Sequence, residues 1–132
     1  MRAMFMLFSF TALACGPSRE TEESRALGRA IEALIAAPND QKPAALTAVE
    51  RAPCSAEAAK ETQRVCVEAF RPLVRALAMK DEIRAAMRAP GADAEALRAR
   101  VDEADALVKE SATKHDLCLT KKAAMQQKLG RE

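Results

Sequence analysis

The sequence predicts an all-α protein: a small helical bundle built on a long antiparallel helical hairpin, with arms at about 55–89 and 93–129 and two shorter helices ahead of them. Three observations carry this. Thirty alanines stand against four glycines, with no Trp or Tyr, a composition that favours thin helix–helix interfaces over a sheet or a large aromatic core. Apolar residues recur at three- and four-residue spacing through both long runs. Between those runs, Ala89-Pro90-Gly91-Ala92-Asp93 supplies the residues at which a helix stops and the chain reverses. With 132 residues there is room for one such domain.

The chain opens with Met1-Arg2 and an apolar run from Ala3 to Ala14, followed by Cys15-Gly16-Pro17-Ser18. One early positive charge, a short apolar core and small residues before a cut make an export signal, too short to span a bilayer. The segment Thr11-Ala12-Leu13-Ala14-Cys15-Gly16 resembles the lipobox of bacterial lipoproteins. That resemblance implies cleavage after residue 14 and lipidation of Cys15 as the first residue of a mature domain spanning 15–132. It further implies residence on the membrane, on the periplasmic or cell-surface side. The departure is Ala12, where the family usually carries a larger aliphatic residue. Ala12-Leu13-Ala14 also fits the A-x-A site of ordinary secretion. The resemblance covers the first sixteen residues and implies nothing about the body.

Ser18 can cap a first helix running to about Ala37, with Glu20, Glu22 and Glu23 near its positive end. Leu27, Ala30, Ile31, Leu34 and Ile35 make one stripe that needs a partner. Pro38-Asn39-Asp40 ends it. A short helix follows over about Gln41 to Ala52, with Pro43 tolerated in its first turn and Leu46, Val49 and Ala45 as its face. Pro53-Cys54-Ser55 turns the next corner, with Ser55 expected to cap the first long arm.

The register of the hairpin follows from arithmetic. Antiparallel arms turning about residues 91 to 93 place residues whose numbers sum to about 184 at one level. This pairs Met87 with Leu97, Ile83 with Val101, Ala76 with Val108, Leu73 with Ser111, Ala69 with His115 and Cys66 with Cys118. The second arm contributes Leu97, Val101, Ala104, Val108, Cys118, Met125 and Leu129 to one stripe. Lys80 interrupts the facing stripe and is expected to reach water with its stem packed. Pro72 predicts a kink or break near Glu68 to Arg71. At the far end Lys114, Lys121, Lys122, Lys128 and Arg131 complement a helix C-terminus, and Gly130 closes it.

Four cysteines carry most of the chemical interest. Export takes them to an oxidising compartment, where paired thiols persist as disulfides. Cys66 and Cys118 fall level on facing stripes, and a bond between them would stabilise the fold by about 4 kcal/mol on the chain-entropy account. If the arm begins at Ser55, Cys54 and Cys66 are separated by about 16 Å of helix rise, whereas a disulfide needs Cα atoms within about 7 Å, so that pairing is open only to a helix that starts late. Cys54 is then a free thiol or a small buried side chain. Were Cys15 not lipidated, two bridges become possible.

An alternative uses the same place differently: His115 and Cys118 share a face with Cys66 opposite, a set able to hold zinc or copper in a metal-binding or metal-sensing envelope protein. A further ligand is missing, so the set stands as the alternative and no metal or other cofactor is expected. Enzyme chemistry has little support. Cys54 lacks a histidine base at its own level, since His115 is the only histidine. Glu22-Glu23 and Asp102-Glu103 sit among balancing Arg and Lys, and no Gly-rich phosphate loop exists. Met79, Met87 and Met125 read as core filling.

Twenty-one basic against nineteen acidic residues are interspersed at helical spacings, as in Glu61 with Arg64, Arg64 with Glu68, Arg98 with Asp102, Asp105 with Lys109 and Glu110 with Lys114. That pattern is a solvated helix surface and excludes a nucleic-acid face. The expected function is accordingly non-catalytic: an exported, lipid-anchored scaffold or interaction module whose partners are the membrane, through its lipid, and another envelope protein.

Overall fold

Helix signals and apolar stripes translate into four α-helices in the computed structural model, which describes residues 16–130. The export segment and Cys15 lie outside the described residues. The helices are α1 (Arg19–Ala36), α2 (Lys42–Arg51), α3 (Glu57–Met87) and α4 (Ala94–Leu129). Ser18 caps α1 as expected, its hydroxyl accepting from the Thr21 amide at 3.2 Å. Asp93 does the same for α4, accepting from the amides of Glu95 and Ala96. In the connecting turn Gly91 has φ +78°, the left-handed conformation that glycine adopts at least cost. Gly130 closes α4 in a right-handed conformation, φ −79°.

The expected cap at Ser55 is corrected. The first long arm begins two residues later, with Ala56 at the cap position and no side chain capping it. Ser55 is committed elsewhere, to Glu23 of α1. Of the kink or break expected at Pro72, the break is absent, since α3 continues through the proline. Pro72 removes the donor that the Glu68 carbonyl would use, and one residue further on the Ser111 hydroxyl donates to the Ala69 carbonyl at 2.7 Å across the seam. That bond fastens α4 to α3 at the proline-containing turn.

α1 and α2 pack on the half of the hairpin nearest its open end. Leu27, Ile31 and Leu34 of α1 are fully buried with Val49 of α2, Cys66 and Ala69 of α3, and Cys118 of α4. Each short helix has its last carbonyls satisfied by the element that follows it. Lys42 Nζ donates to the Leu34 and Ile35 carbonyls. Gln63 Nε2 donates to those of Val49 and Ala52, both at 2.8 Å. These bonds answer the orphan acceptors that every helix end leaves, and they fix the angles at both corners.

Among the described residues no helix is long and apolar enough to cross a membrane.

Candidate functional site

The seam between α3 and α4 has two halves of different character. In the half covered by α1 and α2, the level rule places residues correctly: the sulfurs of Cys66 and Cys118 lie at bonding distance, 2.04 Å, with Cα atoms 4.7 Å apart and neither residue exposed. Beside them the His115 ring meets the edge of Phe70, centroids 5.5 Å apart. Phe70, the residue after Ala69, thus supplies the ring contact to His115. Its imidazole lies 4.0 Å from Asp116 and is partly open to water.

With the two sulfurs joined to each other, His115 has no thiolates beside it to complete a ligand set. Among the described residues no three His, Cys, Asp or Glu side chains gather in a metal-holding group. The His115, Cys118 and Cys66 alternative thus gains nothing from the geometry.

Cys54 is a free, half-buried thiol whose sulfur sits 3.5 Å from the Ala52 carbonyl. Burial, then the nearby Glu23 carboxylate, push its pKa up. A nucleophilic cysteine needs the opposite shift, so the environment of Cys54 argues for packing.

Glu23, read in the sequence as part of a solvated acidic pair, is instead buried at the corner between α1 and α3. Its carboxylate accepts from Arg19 Nε at 2.7 Å, from the Ser55 amide at 2.8 Å and from the Ser55 hydroxyl. The Ser55 hydroxyl foremost, and then Arg19, hold its pKa below the ordinary value. The tell-tale in the sequence is weak: Glu23 falls four residues before Leu27 on the buried stripe. Two of the terminal lysines are likewise spent on tertiary pairs rather than on the C-terminus of their own helix. Lys122 reaches Glu32 of α1 at 2.8 Å, and Lys121 lies 3.7 Å from Glu61 of α3.

Beyond Asn39, where α1 has ended, the other half of the seam is uncovered. The stripe expected to be interior there is only half so: Ala76 and Ile83 of α3 are buried, whereas Val101 is 42% exposed, Val108 45% and Met87 66%. Helical spacing correctly puts Val101 and Val108 toward the seam, but two helices alone cannot enclose a stripe, and α1 and α2 are too short to cover it. What remains is a groove of about 370 Å³. Its floor is Leu73, Leu77, Ile83, Val101, Ala104 and Val108, and Lys80, Arg84 and Asp105 stand on its rim. Asn39, in the α1–α2 loop, closes the end nearer the disulfide.

Fold and site together define a class, a half-covered helical hairpin with its arms joined at Cys66 and Cys118. No protein family matches the chain, and neither the curated proteins nor the solved structures give a match.

Proposed function

We propose that the mature protein is an exported, lipid-anchored helical module that works without catalysis, holding an apolar docking groove away from the membrane for a partner in the cell envelope. The observation that carries this reading is the uncovered distal half of the hairpin. A small chain that satisfies carbonyls at the C-terminal ends of its two short helices with side chains and buries its stripe at one end leaves an apolar groove open at the other. Apolar surface left open on a folded protein marks interaction sites.

An anchor at Cys15 would suit the same reading from the other direction. Lipidated Cys15 would stand three residues before Ser18, the cap of α1. Ser18 and Thr21 line a pocket with Met125, Lys128 and Leu129 at the end of α4. A lipid on Cys15 would thus start three residues along the chain from the open end of the hairpin, and the Pro90-Gly91 turn lies at the other end of α4. That helix is 36 residues long, about 54 Å at the α-helical rise.

Two measurements test the proposal. Labelled palmitate should enter the wild-type protein and not Cys15→Ser, which should leave the membrane fraction. A photocrosslinker placed at Val101 in the anchored protein should trap a defined envelope protein, while one placed at exposed Glu57, near the open end, should not. Wild-type protein that takes no label and fractionates as soluble would overturn the anchored reading.

A further inference from the structure

The groove is the empty continuation of the track that α1 occupies. In the covered half, α1 lies against both arms: Gly28 faces Met125 and Gln126, Glu32 pairs with Lys122, and Leu27, Ile31 and Leu34 fill the space above Cys66 and Cys118. α1 ends at Ala36, and Asn39 forms the near wall of the groove. The vacant stretch runs from Leu73 to Arg84 on α3, close to three helical turns. Such a space takes a helix.

The rim says which kind. Lys80 and Arg84 are four residues apart on α3, so they stand on one side, one turn from each other. Asp105 stands on α4. Among the described residues Lys80 and Asp105 have no ion-pair partner, and Arg84 has only a 3.8 Å approach to Asp81 of its own helix. A second copy of this chain fits poorly. Two copies facing each other in parallel would bring their α1–α2 layers together before the grooves could close. Two antiparallel copies would set the Lys80 and Arg84 edge of each along the same edge of the other.

Resting on the docking reading above, we infer that the groove binds an amphipathic helix of another protein. Its apolar stripe replaces the missing extension of α1, and two carboxylates four residues apart along one edge meet Lys80 and Arg84. This is helix-in-groove recognition, with specificity set by the charged edge.

The probe is a pair of helix-stapled 14-residue peptides with one leucine stripe, one peptide carrying two Glu at i and i+4 on the edge and the other carrying two Lys there. Fluorescence anisotropy with the purified full-length protein should show the Glu peptide binding and the Lys peptide at least roughly tenfold weaker. The double variant Lys80→Glu with Arg84→Glu should invert that order. Val101→Asp should abolish binding of both peptides. These positions are exposed, and circular dichroism checks that each variant keeps its helicity and melting temperature. Absence of binding by either peptide, or an unchanged order in the double variant, would overturn the inference. So would a dimer seen by light scattering that Val101→Asp dissociates. None of these results bears on palmitate labelling at Cys15, so the groove and the anchor fail separately.

Discussion

Glu23 on the second turn of α1 takes both the backbone amide and the hydroxyl of Ser55, thirty-two residues later. The contact makes the α2–α3 corner part of α1, and it has a pH signature. Ser55 and Arg19 hold the Glu23 pKa below its ordinary value of 4.5. Its stabilisation is therefore fully present above 4.5 and is lost as pH falls through the lowered folded-state value. Glu32, held down by Lys122 and Gln126, acts in the same sense at the other end of α1. Urea midpoints measured between neutral pH and pH 3 should fall for the wild type. The fall should be shallower for Glu23→Gln, which starts lower at neutral pH.

Joining Cys66 to Cys118 closes a loop with a sequence separation of 52. On the chain-entropy account the bond stabilises the native state by about 4 kcal/mol. Reductant should therefore lower the melting temperature by roughly 10–20 °C, with a mass increase of about two daltons for one reduced disulfide. One thiol, Cys54, should remain titratable in the oxidised mature protein, and it should react slowly because it is half buried and its pKa is raised. Two free thiols beyond Cys54 in protein taken directly from an oxidising envelope would count against the pairing.

The hairpin, its turn and its register were legible because they rest on local signals: Pro90 and Gly91, the cap at Asp93, and a fixed rise per residue that carries from the turn to Cys118. Burial was not legible in the same way. Helical spacing puts Val101 and Cys118 on one stripe, yet Cys118 is buried and Val101 is 42% exposed, because what covers a stripe depends on the length and docking of other helices. Long-range partners were lost for the same reason. Ser55 has the makings of a cap and Glu23 those of a surface acid, and each takes the other's hydrogen bonds only once α1 and α3 are side by side. Lys42 and Gln63, which cap the helix preceding their own, carry no pattern in a single sequence that would mark them.

Ser111 offers a direct measure of the seam. It is buried, and its hydroxyl is bonded to the Ala69 carbonyl next to the turn that Pro72 weakens. Ser111→Ala should cost about 1 kcal/mol in chemical denaturation, the net worth of a buried hydrogen bond. Thr113→Ala, which removes an exposed hydroxyl bonded within its own helix, should be close to neutral.

The two halves of the hairpin should also differ in what a truncation does. Ile31→Ala empties a fully buried site under α1 and should cost about 2–5 kcal/mol. Val101→Ala removes methyls already 42% exposed in the open groove and should cost less than about 1 kcal/mol. Equal losses at the two sites would mean the groove is closed in solution.

Two glycines give opposite expectations from one substitution. Gly91 has φ +78° and no atom within 4 Å of an added Cβ, so Gly91→Ala meets open space but a disfavoured backbone and should destabilise by about 1 kcal/mol. Gly28 lies inside α1 with ordinary helical geometry. A methyl there would touch Gln126 Nε2 at 3.7 Å and Met125 Cε at 3.8 Å, distances of normal contact rather than collision. Gly28→Ala should therefore gain about 0.5–1 kcal/mol from helix propensity. Urea midpoints on the two single variants should move in opposite directions by similar amounts. A loss at Gly28 would show that α1 packs more tightly against the end of α4 than its contacts with Met125 and Gln126 imply.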